Sequence, residues 1–371
     1  MITQEALLVD TLVADIETLV TCESPSTDLD AVARSADVTA ELGERILGVA
    51  PERIVLDGRT HLRWRFGAPR VLLLGHHDTV WPLGSLQTHP FEVQDGVLRG
   101  PGCFDMKTGV VMALHAAAAL ADRDGISILI TGDEELGSPS SRTLIEEEAR
   151  DCDAVFVLEA SADGGALKVA RKGVSLYRVV VTGRAAHAGL EPERGVNAAV
   201  EAAHLILAVA GLGDAERGTT VTPTLLHAGH TTNTVPSDAA FAVDVRVRTT
   251  AEQDRVDQAI RAIGPSVDGA VVRIEGGANR RPMEPGTSAA LFARATRLAA
   301  DAGLTPFDGV EVGGASDGNF TAGLGNPPLD GLGAVGGGAH ADDEHVVVSM
   351  IPERTTLLTA LIADVLAGEQ E

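Results

Sequence analysis

The sequence predicts an α/β protein, a mostly parallel sheet flanked by helices, into which a smaller α+β domain of ferredoxin-like type is inserted. Three observations predict it. Apolar runs at residues 71–74, 126–130 and 154–158 are separated by longer helical patterns, and strands that alternate with helices pair in parallel through right-handed crossovers. From about residue 173 the texture changes to alternating, half-exposed strands in the order β-α-β-β-α-β, which is that of a ferredoxin-like sandwich. After Pro282 the helical pattern returns. Residues 1–172 and 282–371 are therefore expected to form one larger domain, with residues 173–281 inserted between them. At 371 residues and 44% hydrophobic content, the chain is long enough for two cores.

Each element follows from its pattern. Leu8, Leu12, Ile16, Leu19 and Val20 recur at helical spacing and the ESPST segment then breaks it, so residues 5–20 read as an amphipathic helix. A second helix is expected over 28–47, with short strands near 53–56 and 61–66. The stretch VLLLGHHD, residues 71–78, reads as a buried strand running into a glycine, two histidines and an aspartate; ligands of open α/β sheets bind at such carboxyl ends. The Gly/Pro-rich GVLRGPGCFD leads into an Ala-rich helix over 106–121. The β-branched strand 126–130 delivers Asp133, Glu134 and Glu135, and after a helix over 140–149 the strand 154–158 ends at Glu159. The inserted domain is expected to have strands at 174–182, 219–226, 241–247 and 271–274, with helices at 196–210 and 251–263. A helix over 288–302, a strand near 329–335 and a helix over 352–366 complete the chain.

Composition narrows the partners. Lys+Arg 29 against Asp+Glu 53 leaves a formal charge of −24, a field that repels nucleic acid and anionic membranes. Neither is an expected partner, and the acidity reads first as a solubility feature. Cys22, Cys103 and Cys152 are odd in number and lack Cys-x-x-Cys spacing, which argues against a disulfide framework or a thiolate zinc site. No basic segment followed by an apolar one opens the sequence, and no apolar run reaches membrane-spanning length. The expected compartment is the cytoplasm.

Three expected strands thus deposit His76 and Asp78, Glu134 and Glu135, and Glu159 at one edge of one sheet. Singly, His-x-Asp or Glu-Glu is an ordinary turn. With Asp105 and His340 they become the nitrogen and oxygen donors that zinc accepts, and burying so many carboxylates together without cations costs too much. One divalent ion needs three protein ligands and a water, whereas two ions sharing a carboxylate need about five protein residues. Two cations fit this inventory better. Adjacent residues on an extended chain point to opposite sides, so His77 is left outside the site, as are His89, His115, His204 and His345. Gly100-x-Gly102 before a helix lacks both the third glycine of a dinucleotide loop and the Gly-Lys-Ser/Thr of a phosphate loop, which argues against an α/β oxidoreductase. The glycines are better explained by close backbone approach to the metals.

The motifs GHHDT, GPGCFDMKTG, the DEE triplet, the Glu after the next strand, GRAAHAG and a late GGGAH resemble, in order and over nearly the whole chain, those of the co-catalytic di-zinc exopeptidases. That family includes bacterial glutamate carboxypeptidases, aminoacylases, acetylornithine deacetylase and succinyl-diaminopimelate desuccinylase. The resemblance implies two Zn2+ per chain, with Co2+ or Mn2+ as substitutes. His76 and Glu159 would hold one ion, Glu135 and His340 the other, and Asp105 would bridge them. Asp78 would accept a hydrogen bond from the His76 ring and fix its tautomer, and Glu134 would be the general base that passes a proton to the leaving amine.

The resemblance also implies a zinc-exopeptidase-like catalytic domain, whose inserted domain acts as lid and homodimer surface. His187 of GRAAHAG would reach the neighbouring subunit's site and stabilise the oxyanion. Asn233, Arg246 and Arg281 resemble substrate contacts, with Arg280 as an alternative to Arg281, and a guanidinium fork suits a free carboxylate. Ser316 and Asn319 of GGASDGN are further donors expected to line the pocket. Ala186 stands where relatives often carry Ser, and Met106-Lys107 occupies a variable pair, both of which leave substrate preference open. The expected activity is hydrolysis of the amide bond of a peptidyl or N-acyl amino acid with a free carboxylate, glutamate carboxypeptidase-like; an aminoacylase or biosynthetic N-deacylase is the alternative. An intact base and five ligands argue against a non-catalytic metal-binding protein of the same fold.

Overall fold

The computed structural model describes residues 4–368, with side chains from residue 9 onward. The Leu8 side chain, counted in the opening pattern, lies outside the described residues. The chain divides into two compact units, one over Met1–Ala170, Pro285–Val312 and Ser316–Glu371, the other over Arg171–Glu284 and Gly313–Ala315. These limits lie a few residues outside 173–281. The main chains of Arg171 and Met283 exchange two hydrogen bonds of 3.0 Å, and the Arg171 guanidinium donates to the Gly314 carbonyl.

In the first unit, α1 (Gln4–Val20) and α2 (Leu29–Leu47) precede β1 (Glu52–Leu56), β2 (Arg59–Phe66) and β3 (Val71–His76). Asp28 caps α2 by accepting from the Ala31 amide, and Gly48 ends it at φ 74°, the left-handed position that favours glycine. Then follow α3 (Thr108–Ala118), β4 (Ile126–Thr131), α4 (Arg142–Ala149) and β5 (Ala154–Val157). With the two-residue strand Pro328–Leu329 they form a six-stranded sheet in the order β1-β2-β4-β3-β5, then 328–329. The pairings of β3 with β4, of β3 with β5 and of β5 with 328–329 are parallel, and those of β1 with β2 and β2 with β4 are antiparallel. The central strands are buried throughout, as continuous apolar runs in a sheet covered on both faces must be. Alternate side chains serve opposite cores. Val71, Leu73, Ile128, Ile130 and Phe156 join residues of α1, α2, α3 and the C-terminal helix, while Leu72, Leu74, Leu129 and Val155 pack with Leu144, Ile145 and Phe320.

Two elements depart from their patterns. The helix expected from residue 106 begins at Thr108, because Asp105 (φ −117°, ψ 93°) and Met106 (φ −135°, ψ 32°) are non-helical and the bond between them is cis. The strand expected over 329–335 stops at Leu329. Gly331 turns the chain at φ 78°, after which Leu332, Gly333 and Ala334 bond to the main chain at Val157, Glu159 and Ser161.

The second unit contains β6 (Gly173–Thr182), α5 (Ala198–Ala210), β7 (Thr220–Ala228), β8 (Asp238–Val247), α6 (Thr250–Arg261) and β9 (Val271–Arg280). Its sheet order is β7-β8-β6-β9, antiparallel throughout, which is the ferredoxin-like arrangement. One face packs Tyr177, Val179, Val181, Phe241, Val243 and Val245 against apolar residues of α5 and α6. The last strand outruns its expected end at 274 because Gly276 (φ 87°) and Gly277 (φ 154°) keep pairing with Tyr177 and Leu176. No helix among the described residues is long and apolar enough to cross a membrane.

Candidate metal centre

His76 is the last residue of β3 and pairs with Thr131, the last of β4. Glu134 and Glu135 follow β4 in a short 3-10 turn, and Glu159 lies just past β5. Asp105 comes from the extended segment before α3, and His340 from a turn at φ 61°. Gly109 lets α3 approach β5 where no side chain fits, since a Cβ there would meet the Leu158 carbonyl oxygen at 2.1 Å.

The side chains converge in two groups, His76–Asp105–Glu159 and Asp105–Glu135–His340, each with ligand atoms within 4.8 Å of one another. Asp105 is common to both. Its Oδ1 lies 3.4 Å from His76 Nε2 and its Oδ2 lies 3.2 Å from His340 Nε2. Glu159 Oε1 is 3.7 Å from His76 Nε2, and Glu135 Oε2 is 3.2 Å from His340 Nε2. His76 Nε2, Asp105 Oδ1 and Glu135 Oε1 are buried without a hydrogen-bond partner among the described residues. Buried orphans of this kind are costly, and a divalent cation in each group would satisfy them. The donor set, imidazole and carboxylate without thiolate, suits zinc, cobalt or manganese.

The electrostatics point the same way. Burial alone would lower the His76 pKa, but the carboxylates of Asp105 and Asp78 outweigh it and hold it well above 6.5. Asp105 and Glu135 raise His340 to about 10 against the smaller effect of burial. Burial pushes Asp105 up, yet His340 and His76 pull it well below the ordinary carboxylate range. In Glu135 burial prevails and the pKa is raised. A cluster with more carboxylate than imidazole binds positive charge, whether protons or metal, and the two compete for the same nitrogen atoms.

Around these donors lies a layer of buried acceptors that organises the backbone. His76 Nδ1 donates to the main-chain carbonyl of Asp78 at 2.9 Å, which leaves Nε2 as the nitrogen free to bind a cation. The tautomer-fixing contact is thus chiefly to the main chain of Asp78, whose carboxylate lies 3.5 Å from the ring. That carboxylate, wholly buried, accepts from Ser26 Oγ (2.6 Å) and from the amides of Glu134 (3.2 Å) and Glu135 (3.3 Å). Asp78 therefore joins the ends of β3 and β4. Asp133 accepts from the amides and hydroxyls of Ser140 and Ser141 and closes the same turn. Buried Glu344 accepts from the amides of Gly102, Phe104 and Asp105 and from Trp81 Nε1, and burial raises its pKa. Lys107, brought down to about 8 by burial, donates to the carbonyls of Leu19 and Cys22. Asp133, Glu344 and Lys107 carry no site role in the sequence pattern; for Glu344 the available signal is its place four residues after His340.

The other residues singled out in the sequence take varied positions. His77 is buried, with Nε2 against the Thr60 carbonyl and its pKa lowered to about 4 by burial. Ser316 is fully buried, and its hydroxyl donates to Asp330 and accepts from Gly318 N; Asn319 Oδ1 accepts from the Ser316 amide. Gly102 has φ 71°, and a Cβ there would meet Thr79 at 2.4 Å. In the second unit, exposed His187 accepts the amides of Gly189 and Leu190 at Nδ1, both at 3.1 Å, so Nε2 carries the proton and is a donor. Asn233 lies in an exposed turn with its carbonyl accepting from the Ala188 amide. Arg246 forms a two-point pair with Asp244, Arg281 donates to Gln253 and Asp254, and Arg280 is buried.

A sequence model described as Peptidase family M20/M25/M40 matches residues 72–364. Carboxypeptidase G2 of Pseudomonas sp. (strain RS-16) is 33% identical over 353 residues, covering 91% of this chain and 81% of its own. A succinyl-diaminopimelate desuccinylase of Dechloromonas aromatica is 28% identical over 349 residues, 87% of this chain and 91% of its own. Among solved structures, the aminopeptidase PepT of Bacillus cereus superposes with a TM-score of 0.73 at 22% identity, over 98% of this chain and 99% of its own; at that identity the likeness speaks for the fold.

Proposed function

The chain belongs to peptidase family M20/M25/M40, metal-dependent hydrolases of amide bonds, and on that premise we propose a two-cation carboxypeptidase. It cleaves the amide bond of a peptidyl or N-acyl amino acid with a free carboxylate, in the manner of the glutamate carboxypeptidases. The observation that carries this reading is the pair of donor groups sharing Asp105, with buried orphan atoms on His76, Asp105 and Glu135. His76, Glu159 and Asp105 hold one cation, and Glu135, His340 and Asp105 the other. Zinc is the proposed metal, with cobalt or manganese as substitutes. When bound, the cations supply Lewis acidity that lowers the pKa of water and polarises the scissile carbonyl.

The remaining chemistry belongs to the chain. Glu134, whose amide is held by Asp78, takes the proton of the attacking water on its carboxylate and returns it to the nitrogen of the departing amine. His187 donates from Nε2 to the carbonyl oxygen as negative charge develops there. Arg246 and Arg281 are proposed for the substrate's carboxylate; each is paired with an acid, so the substrate must compete with that partner. Arg281 is the more accessible of the pair at 280 and 281.

Metal analysis combined with a panel of dipeptides and N-acyl amino acids tests the reading. About two zinc equivalents per chain and ninhydrin-positive product are expected, and a metal-free, fully active preparation overturns it. The similarity to a desuccinylase favours a second reading, an aminoacylase or biosynthetic N-deacylase, which the acyl arms of the panel separate from carboxypeptidase activity. A homodimer through the second unit is proposed from its exposed Leu207, Leu225, Leu226 and Val271; light scattering checks it. The three free cysteines suit the cytoplasm.

A further inference from the structure

We infer that Glu344 is the positioning residue of the metal centre, a side chain that touches neither substrate nor cation but fixes the segment from which Asp105 reaches both donor groups. Its Oε1 accepts the amides of Phe104 (2.8 Å) and Asp105 (3.0 Å), and its Oε2 those of Gly102 (3.0 Å) and the Trp81 indole (2.5 Å). Four N–H donors converge on one carboxylate that is only 3% exposed. Gly102–Asp105 is irregular backbone, so neither helix nor sheet satisfies these amides. Instead the Phe104 and Asp105 amides both donate to Glu344.

Asp105 must present its two oxygen atoms in different directions, Oδ1 to His76 and Oδ2 to His340. A carboxylate that divides its oxygens in this way tolerates little rotation of its own backbone. Glu344 also belongs to the turn carrying His340, closed by hydrogen bonds from Ala341 to Gly338 and from Glu344 to Ala341. One side chain therefore ties the bridging aspartate to the turn that supplies the second group's histidine. The group Asp105–Glu135–His340 depends on this tie twice, through Asp105 and through His340. The group His76–Asp105–Glu159 depends on it once. Removing Glu344 weakens the former more.

This inference rests on the two-cation reading, and its test separates the two. Zinc content after dialysis, calorimetric zinc titration and amide exchange at Gly102–Asp105 are measured for wild type, Glu344→Ala, Glu344→Gln and the exposed neighbour Asp343→Asn, alongside kcat and KM. Gln keeps the volume and one acceptor oxygen but turns its NH2 towards two of the four donors. Both Glu344 variants are expected to bind one of two zinc equivalents about 10–100-fold more weakly. Exchange at Phe104 and Asp105 quickens, kcat falls with KM within about twofold, and Asp343→Asn behaves as wild type. Zinc affinity unchanged, or lowered equally at both equivalents, overturns the inference. If Glu344→Ala does not fold, Glu344→Gln decides by the same measurements. Should the wild type bind two cations and hydrolyse no substrate, the proposed activity fails while zinc affinity and exchange still decide the role of Glu344.

Discussion

Substitution of Gly109 by alanine tests how the fold holds Glu159. The new Cβ would lie 2.1 Å from the Leu158 carbonyl oxygen and 3.1 Å from its carbon. Both are backbone atoms, so no rotamer relieves the clash, and α3 and the end of β5 must separate by more than an ångström. Overpacking of this kind costs about 1–3 kcal/mol, and the rigidity of both partners puts Gly109→Ala at the upper end. For a unit of this size the melting temperature falls by about 6–12 °C. Leu158 immediately precedes Glu159, so the displacement also moves a donor of the group with His76 and Asp105, and zinc at that group weakens by about 10–100-fold. The assay is scanning calorimetry of the chelator-treated and zinc-loaded protein, with zinc titration. Gly286→Ala provides the contrast, since nothing lies within 4 Å of its added Cβ and it occupies the start of the helix Pro285–Asp301. There the substitution stabilises by up to about 1 kcal/mol. A Gly109→Ala protein that melts within about 1 °C of wild type and binds zinc equally would refute the packing argument.

Other consequences are as direct. Glu134→Gln lowers kcat by about 10²–10⁴ while zinc content stays at the wild-type level; retained turnover removes Glu134 as the base. His187→Ala lowers kcat by about 10²–10³ with a smaller change in KM, and an unchanged turnover rate ends its role as oxyanion donor. Exhaustive chelation abolishes hydrolysis, and zinc, cobalt or manganese restores it. In the second unit, the Arg255 hydrogen bond, opposed by burial and aided by Thr219 and Arg217, holds Glu252 down to about 2. Its folded pKa lies below the ordinary value near 4.3, so its stabilisation is complete above about pH 5 and is lost as pH falls towards 2. Between those limits the melting temperature of Glu252→Gln should fall less steeply with acidity than that of wild type.

The sequence was most legible where burial imposes a pattern. The runs at 71–74, 126–130 and 154–158 are readable as strands because both faces of the sheet are covered and every residue must be apolar. Their ends align, which brings His76, Glu134, Glu135 and Glu159 to one edge. Local periodicity failed where tertiary hydrogen bonds override it. The helix expected from residue 106 starts only at Thr108, because Asp105 and Met106 are non-helical and the Phe104 and Asp105 amides are paired to Glu344, and 329–335 looks like a strand but is bent at Gly331. The supporting acceptor Glu344 left only its place four residues after His340 as a trace, because a carboxylate that serves backbone amides far along the chain has no characteristic spacing. Ser316 shows the converse: a polar residue in a glycine-rich loop suggests a ligand contact, yet its hydroxyl is spent on Asp330.

The sharing of Asp105 between two donor groups has a consequence for how the protein is made. All three donors of the group His76–Asp105–Glu159 have been synthesised by residue 159, before the first residue of the second unit. The group Asp105–Glu135–His340 waits for residue 340, after the whole ferredoxin-like unit has been synthesised. A nascent chain thus holds the donors of one group early, but both His340 and Glu344, which ties down the Asp105 segment, come only when all but the last helix, Met350–Ala367, has been synthesised. Translation itself delays the complete pair of groups until the polypeptide is nearly finished.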